Sequence, residues 1–262
     1  MPKSASVQSD KLTDQTTLNT TIKVLEQHFD LSADGYICQT RDLYEVLVTA
    51  AARCSTIEAT CKDLKDAPDS NTVRGYINAQ LTPEDIAGLE RNCKRALYKQ
   101  WPHWLWSQPL NIAVDLHDEC YYGEEADREA NDASASWVCR GEKRNGTTYF
   151  YRCATLAVIR HQVQINLAVA FVHPDDDLVD VLKKLVKYVL SRGLRIGCLY
   201  ADKQFCSIPV LRYLQTGTSF SAIIAAPKKG KDGGIKALCH GRKSYRTEIG
   251  RASCRERVYV LV

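Results

Sequence analysis

The chain has no apolar run near the ~20 residues that a membrane helix needs. Its opening, Met1–Thr21, is polar and lacks the apolar core of a secretory leader. The 11 cysteines include no CxxC pair, and their number is odd. That excludes a disulfide framework and a zinc ribbon. Most have apolar neighbours, which points to buried thiols in a reducing compartment. A soluble, cytoplasmic protein without a membrane partner is the expectation. Walker spacing is also missing. The basic, glycine-rich run Pro227–Gly234 therefore reads as a loop, with Lys228 and Lys229 as candidate DNA contacts. No strong excess of one charge marks the whole chain, whose net charge is +4. By segment it is −2 over residues 1–109, −1 over 110–225 and +7 over 226–262, so a polyanion meets its most basic stretch at the C-terminal end.

What is present is ordinary globular material: 45% hydrophobic and 25% charged residues over 262 positions, enough for one large domain or two small ones. Residues 1–15 are polar and read as a disordered tail. From residue 16 the spacing is helical. Leu18, Ile22, Leu25 and Phe29 form one stripe. Thr40 is the expected N-cap of a helix through Arg53, with Leu43, Leu47 and Ala50 inward. Ser55-Thr-Ile-Glu58 has the capping-box pattern, and Ile57, Cys61 and Leu64 face in. After Ala67-Pro68-Asp69, Ser70 is the expected cap of Asn71–Gln80.

This is helix, short turn, helix, the pattern of a helix-turn-helix. The second helix would show Asn71, Thr72, Arg74 and Asn78. Amides and a guanidinium suit base edges, and a hydroxyl suits a phosphate. A small bundle with a polar outer face is the competing reading. Thr82-Pro83 opens a further helix with Ile86, Leu89, Cys93 and Leu97 as its stripe. The helical module is thus expected over residues 16–100. A Trp/Pro-rich connector follows at 101–109, where Trp101, Trp104 and Trp106 are expected to dock one module on the other.

From residue 110 strand patterns dominate. Leu110, Ile112 and Val114 alternate up to Asp115, and a polar, acidic loop is expected after it. Asn145-Gly146 marks a hairpin between a short strand at Ser136–Arg140 and a long one at Thr147–Ile159. Val163–Val172 is a further strand. Pro174 and Asp175–Asp177 open a helix. Carboxylates in a first turn meet the helix dipole, so the aspartate run is not read as a metal site. Strand Leu194–Tyr200 leads to Asp202, then a helix at about Ser207–Gln215 and a strand at Ser219–Ala225. The class is therefore α+β: an N-terminal helical module, then a mixed sheet flanked by helices. Asp115 and Asp202 each end an apolar strand. Each could be a turn or helix cap by itself. Together they are candidates for one metal site.

That order, with Ala113-Val-Asp-Leu-His-Asp118, Tyr121-Tyr-Gly-Glu124 and Leu199-Tyr-Ala-Asp-Lys-Gln-Phe205, resembles the DDE transposases of insertion sequences. Their catalytic core is ribonuclease-H-like. The resemblance covers about Thr40 to Ala226. It implies phosphodiester cleavage and strand transfer at transposon ends. It also implies Mg²⁺ or Mn²⁺ held by Asp115 and Asp202, double-stranded DNA as partner, and a possible homodimer. The family's third ligand is a glutamate on a helix after the last strand. Here Glu248 is the only candidate beyond Ala226, and its surroundings do not read as an apolar-faced helix. Ile249–Val258, IGRASCRERV, looks like a translated sequencing adapter. The expectation is an incomplete core at 110–226, the start of a basic insertion at 227–248, and a non-native tail at 249–262, in a fragment inactive for want of its third carboxylate. Two alternatives stay open. One is a DNA-binding protein without catalysis. The other is a different ribonuclease-H-like nuclease that completes its site with Asp118 or Glu124.

Overall fold

The structure is a computed structural model that describes residues 13–123, 135–160 and 163–226, with the backbone of 246–249 and 258–261. The chain divides into two compact units, Met1–Asp85 and Ile86–Val262.

The first unit is helical: α1 (Asp14–Glu26), α2 (Thr40–Arg53), α3 (Ile57–Asp63) and α4 (Ser70–Gln80). Ile22, Leu43, Tyr44, Val46 and Val73 form its core, with Leu18, Leu25, Phe29, Leu47, Ile57, Cys61, Leu64 and Ile77 packed around them. The apolar stripes therefore face in as their spacing requires. The caps shift by one residue. Gln39, not Thr40, caps α2, with Asp42 Oδ2 accepting from the Gln39 amide at 2.8 Å. Thr40 instead ties its hydroxyl to Ala33, accepting from its amide at 3.0 Å. Thr56, not Ser55, caps α3, accepting from the Ala59 amide at 3.1 Å, while Glu58 pairs with Lys62 at 2.7 Å. Asp69 caps α4 in place of Ser70. In each case the neighbouring residue also carries a suitable acceptor, and backbone geometry selects between them.

The second unit is a mixed sheet with helices. Its strands are β1 (Leu110–Cys120), β2 (Val138–Arg144), β3 (Thr147–Arg160), β4 (Val163–Val172), β5 (Ile196–Ala201) and β6 (Ser221–Ala225). β1 pairs antiparallel with β3, and β3 with β4, while β2 covers the first part of β3. β5 runs parallel to β1, and β6 parallel to β5. Three antiparallel strands followed by two parallel ones, in spatial order β4-β3-β1-β5-β6, make the ribonuclease-H-like sheet. Right-handed crossovers need helices between parallel neighbours. Here α6 (Leu178–Ser191) links β4 to β5, and α7 (Ile208–Thr216) links β5 to β6. The backbone of β7 (Arg246–Ile249) and β8 (Val258–Leu261) extends the sheet beyond β6, with β8 parallel to it.

One face of this sheet is dry. Ile112, Val114, Leu156, Val158, Leu199, Ala222 and Ile224 pack there against Leu182, Leu185 and Val189 of α6 and Val210 and Leu214 of α7. The other face stays half-open: Ala113, Thr155, Ala157, Cys198, Tyr200 and Ile223 are only partly covered. Helix α5 (Ile86–Lys99) packs on β4, within the sheet unit, although its sequence position groups it with the helical module. Its Glu90 accepts from the Phe171 amide of β4 at 3.2 Å. The tryptophans lie in the same unit. Trp101 is in the core, and Trp106 Nε1 donates to the Arg192 carbonyl at 2.9 Å.

Two further expectations are corrected. The stretch after Asp115 is not a loop, because β1 continues to Cys120. β3 is long enough to pair with it as far as Phe150, and this supplies the backbone partners that a polar strand needs. The strand before the hairpin is Val138–Arg144, later than expected, preceded by a short 3-10 turn at Ala135–Trp137.

Candidate functional site

The parallel pairing of β1 and β5 sets the site. Ala113 lies opposite Tyr200 and Val114 opposite Ala201. One step further along both chains come Asp115 and Asp202. In a sheet the side chains alternate, so Asp115 shares the half-open face with Ala113. Asp202 follows the last residue of β5 and opens the next turn, at the C-terminal end of that strand. That is where an open sheet with crossover helices presents its loops.

Each carboxylate is oriented by backbone. Asp115 Oδ1 accepts from the Leu116 amide at 3.0 Å, and Asp202 Oδ1 from the Gln204 amide at 2.9 Å. Asp202 thereby caps the short 3-10 turn Lys203–Phe205, so its capping role is real. A single amide leaves the second oxygen of each carboxylate outside these bonds, so capping does not preclude a ligand role. The Asp115 side chain is 60% exposed. Hard carboxylate oxygens at a solvent-open position fit Mg²⁺ or Mn²⁺. Among the described residues, no group of three or more His, Cys, Asp or Glu is arranged to hold a metal ion.

Asp118 is not a further ligand here. It lies on the opposite side of β1, with a side chain 6% exposed. Arg152 grips it with two nitrogens, at 2.6 and 3.2 Å. A carboxylate buried against a guanidinium is a structural pair. Glu124, the other residue proposed for that role, lies outside the described residues, as do Lys228 and Lys229.

A histidine that the sequence offers without any ligand spacing also belongs to this face. His117 Nε2 is hydrogen-bonded to Thr155 Oγ1 at 3.0 Å and stands 3.8 Å from Asp115 Oδ2. Thr155 is the β3 partner of Asp115. The signal in sequence was the i, i+2 spacing of Asp115 and His117, legible only if β1 continues past Asp115. Cys153, the β3 partner of His117, has its thiol pKa pushed up by burial, with the negative charges of Asp118 and Asp115 adding to it.

In the helical unit, Asn71, Arg74 and Asn78 of α4 are exposed, and Thr72 is half-buried. At 100° per residue the first three fall on one side of the helix, about a third of a turn from Val73 and Ile77. Arg74 is tethered there, 3.3 Å from Ser70 Oγ and 3.8 Å from Glu58 Oε2. No helix of the described residues is long and apolar enough to cross a membrane.

The second unit is thus a ribonuclease-H-like sheet in which Asp115 and Asp202 each come one residue after the paired residues Val114 and Ala201. No protein-family model matches the chain, and no curated protein matches it. Among solved structures it is similar to a chain of the piggyBac transposase synaptic complex with hairpin DNA, determined by cryo-EM. The identity is 11% and the TM-score 0.39, over 94% of this chain and 51% of that one. This chain spans about half the length of that one.

Proposed function

We propose that the protein derives from a DNA transposase and that its sheet unit carries part of a metal-dependent phosphodiester-cleavage and strand-transfer site. The observation that supports this is the register of β1 on β5, Val114 against Ala201, one residue short of both aspartates. In this reading Asp115 and Asp202 hold Mg²⁺ or Mn²⁺. The ion supplies Lewis-acid polarisation of a phosphate oxygen. The chain's own groups orient the ligands: the Leu116 and Gln204 amides fix one oxygen of each carboxylate. The Thr155 hydroxyl holds His117 beside Asp115. The exposed Asn71, Arg74 and Asn78 of α4, with the half-buried Thr72 beside them, read double-stranded DNA at the element's ends, and Lys228 and Lys229 add phosphate contacts.

The test is Mn²⁺ binding followed by electron paramagnetic resonance, alongside nicking of a duplex that carries the element's ends. Asp115→Asn and Asp202→Asn should each weaken Mn²⁺ binding at least tenfold, the scale of ~1.4 kcal/mol. Unchanged binding in both variants, or Mg²⁺-dependent nicking that survives Asp202→Ala, would refute the assignment.

A second reading, DNA binding without catalysis, is supported by the exposed polar side of α4, with Asn71, Arg74 and Asn78. In that case Arg74→Ala with Asn78→Ala should abolish sequence-specific binding, while Asp115→Ala leaves both binding and nicking unchanged from the parent protein.

A further inference from the structure

Helices α5 and α6 are bridged by a ladder of long side chains with the same step on both. Glu90 Oε2 meets Lys184 Nζ at 2.8 Å, the Lys94 carbonyl accepts from the Tyr188 hydroxyl at 2.9 Å, and the Arg192 guanidinium sits 4.5 Å from the centre of the Tyr98 ring. Residues 90, 94 and 98 therefore face 184, 188 and 192, so the two helices run side by side in the same direction. Handedness then fixes the rest. On right-handed helices running in parallel, the residue after each α5 ladder position and the residue before each α6 position turn to one common side. These are Arg91, Arg95 and Lys99 on α5, and Lys183, Lys187 and Ser191 on α6. All six are exposed. The opposite side, with Leu89, Cys93, Leu97, Leu185 and Val189, goes to the sheet.

The result is one solvated surface with a strong bias of charge. α5 has four basic residues and one acidic. From Leu178 to Arg195 there are five basic and one acidic. The α5 acid, Glu90, is 5% exposed and held by Lys94 and Lys184, so it does not offset the outer cations. Asp180 is spent on Lys183 at 2.8 Å. Among the described residues, Arg91, Arg95, Lys99 and Lys187 have no ion-pair partner. Cations in a last helical turn are favoured by the helix dipole, and that accounts for Lys99. It does not account for Arg91 and Arg95, which stand before the last turn. Residues 86–225 hold 17 basic and 15 acidic residues, a net charge of +2, so this surface is a local concentration and not a consequence of overall composition.

We propose that the joint outer face of α5 and α6 binds the phosphate backbone of double-stranded DNA. Its cations repeat every ~6 Å along each helix. DNA presents one charge per ~1.7 Å of axis, and cations set against it release bound counterions. Of the six outward residues five are cations and the other is Ser191, so the surface positions DNA and does not read its sequence. α6 covers the dry face of the sheet, α5 packs on β4, and Asp115 lies on the half-open face. The duplex held here is therefore a separate contact from the one at the reacting phosphate. The proposal shares with the proposed function the premise that DNA is the partner, and nothing of the aspartate site.

Fluorescence anisotropy of the full chain with a 30-base-pair duplex of arbitrary sequence, titrated at several salt concentrations, tests it. The combined variant Arg91→Gln, Arg95→Gln, Lys99→Gln should reduce the slope of log affinity against log salt by about 3, one for each lost phosphate contact. Affinity at moderate salt should fall by about tenfold or more. Lys187→Gln alone should reduce the slope by about 1. These are exposed positions, and an unchanged thermal midpoint confirms the fold. Wild-type affinity and slope in the triple variant would overturn the proposal, as would a clear preference for an RNA duplex of the same sequence. Loss of Mn²⁺ binding in Asp115→Asn with no effect of the triple variant would leave the aspartate site standing and remove only this surface.

Discussion

Asp115 and Asp118 sit three positions apart on β1, and the period of two in a strand sends their carboxylates to opposite faces. Asp115 is left in solvent with one oxygen on a backbone amide. Asp118 is taken into a bidentate pair with Arg152, whose side chain is 17% exposed. Removing one partner of such a pair strands a buried charge. Arg152→Ala should therefore destabilise the sheet unit by about 3–5 kcal/mol in urea unfolding. Asp115→Ala should stay within about 0.5 kcal/mol of the parent, as exposed positions do. Equal effects would contradict this division of roles. The cysteines show the same influence of surroundings. Burial pushes up the thiols of Cys93 and Cys153, which lowers the thiolate fraction at neutral pH, while Cys54 is exposed. Peptide mapping after brief treatment of the native protein with a thiol reagent at pH 7.5 should find Cys54 modified well before Cys93 or Cys153.

Elements are ended by backbone conformation more than by side-chain type. Asn145 and Gly146 both have positive φ, 47° and 89°, which closes the β2–β3 hairpin with the twist the strands require. An added Cβ at Gly146 would meet nothing within 4 Å, so any cost of Gly146→Ala is backbone strain alone. That cost is about 1–2 kcal/mol. At the end of α2 the situation is reversed. Cys54 holds a left-handed conformation, φ 49°, that an L side chain resists. Cys54→Gly should raise the stability of the helical unit by up to about 1 kcal/mol in chemical unfolding. The hairpin was legible as a dipeptide. The α2, α3 and α4 caps were legible only to within one residue, because Gln39/Thr40, Ser55/Thr56 and Asp69/Ser70 offer two acceptors each and only backbone angles choose.

For the molecule as a whole, two units with separate cores make a prediction about where the chain can be cut. The division falls at Asp85/Ile86 and not in the tryptophan segment. Residues 1–85 should give a soluble helical fragment with cooperative thermal unfolding. A fragment of residues 1–100 also carries α5, whose Leu89, Cys93 and Leu97 have lost the sheet they pack on. It should aggregate in size-exclusion chromatography at the same concentration. Identical behaviour of the two fragments would argue against assigning α5 to the sheet.

By itself the sequence determined which residues are apolar and at what period, and this set most element identities, the antiparallel-then-parallel succession of strands, and the inward faces of α1 to α4. Period and turn chemistry are local, so a linear reading suffices for them. Three things were decided only by tertiary structure. β1 runs past Asp115 because β3 is there to take its backbone groups, which turned an expected loop into the strand that carries His117. α5 joined the sheet because Glu90 meets β4 and Lys184, neither of which is near it in sequence. Asp115 and Asp202 follow one paired position because β1 and β5 run parallel at a single register, and a shift of one residue would have broken that correspondence.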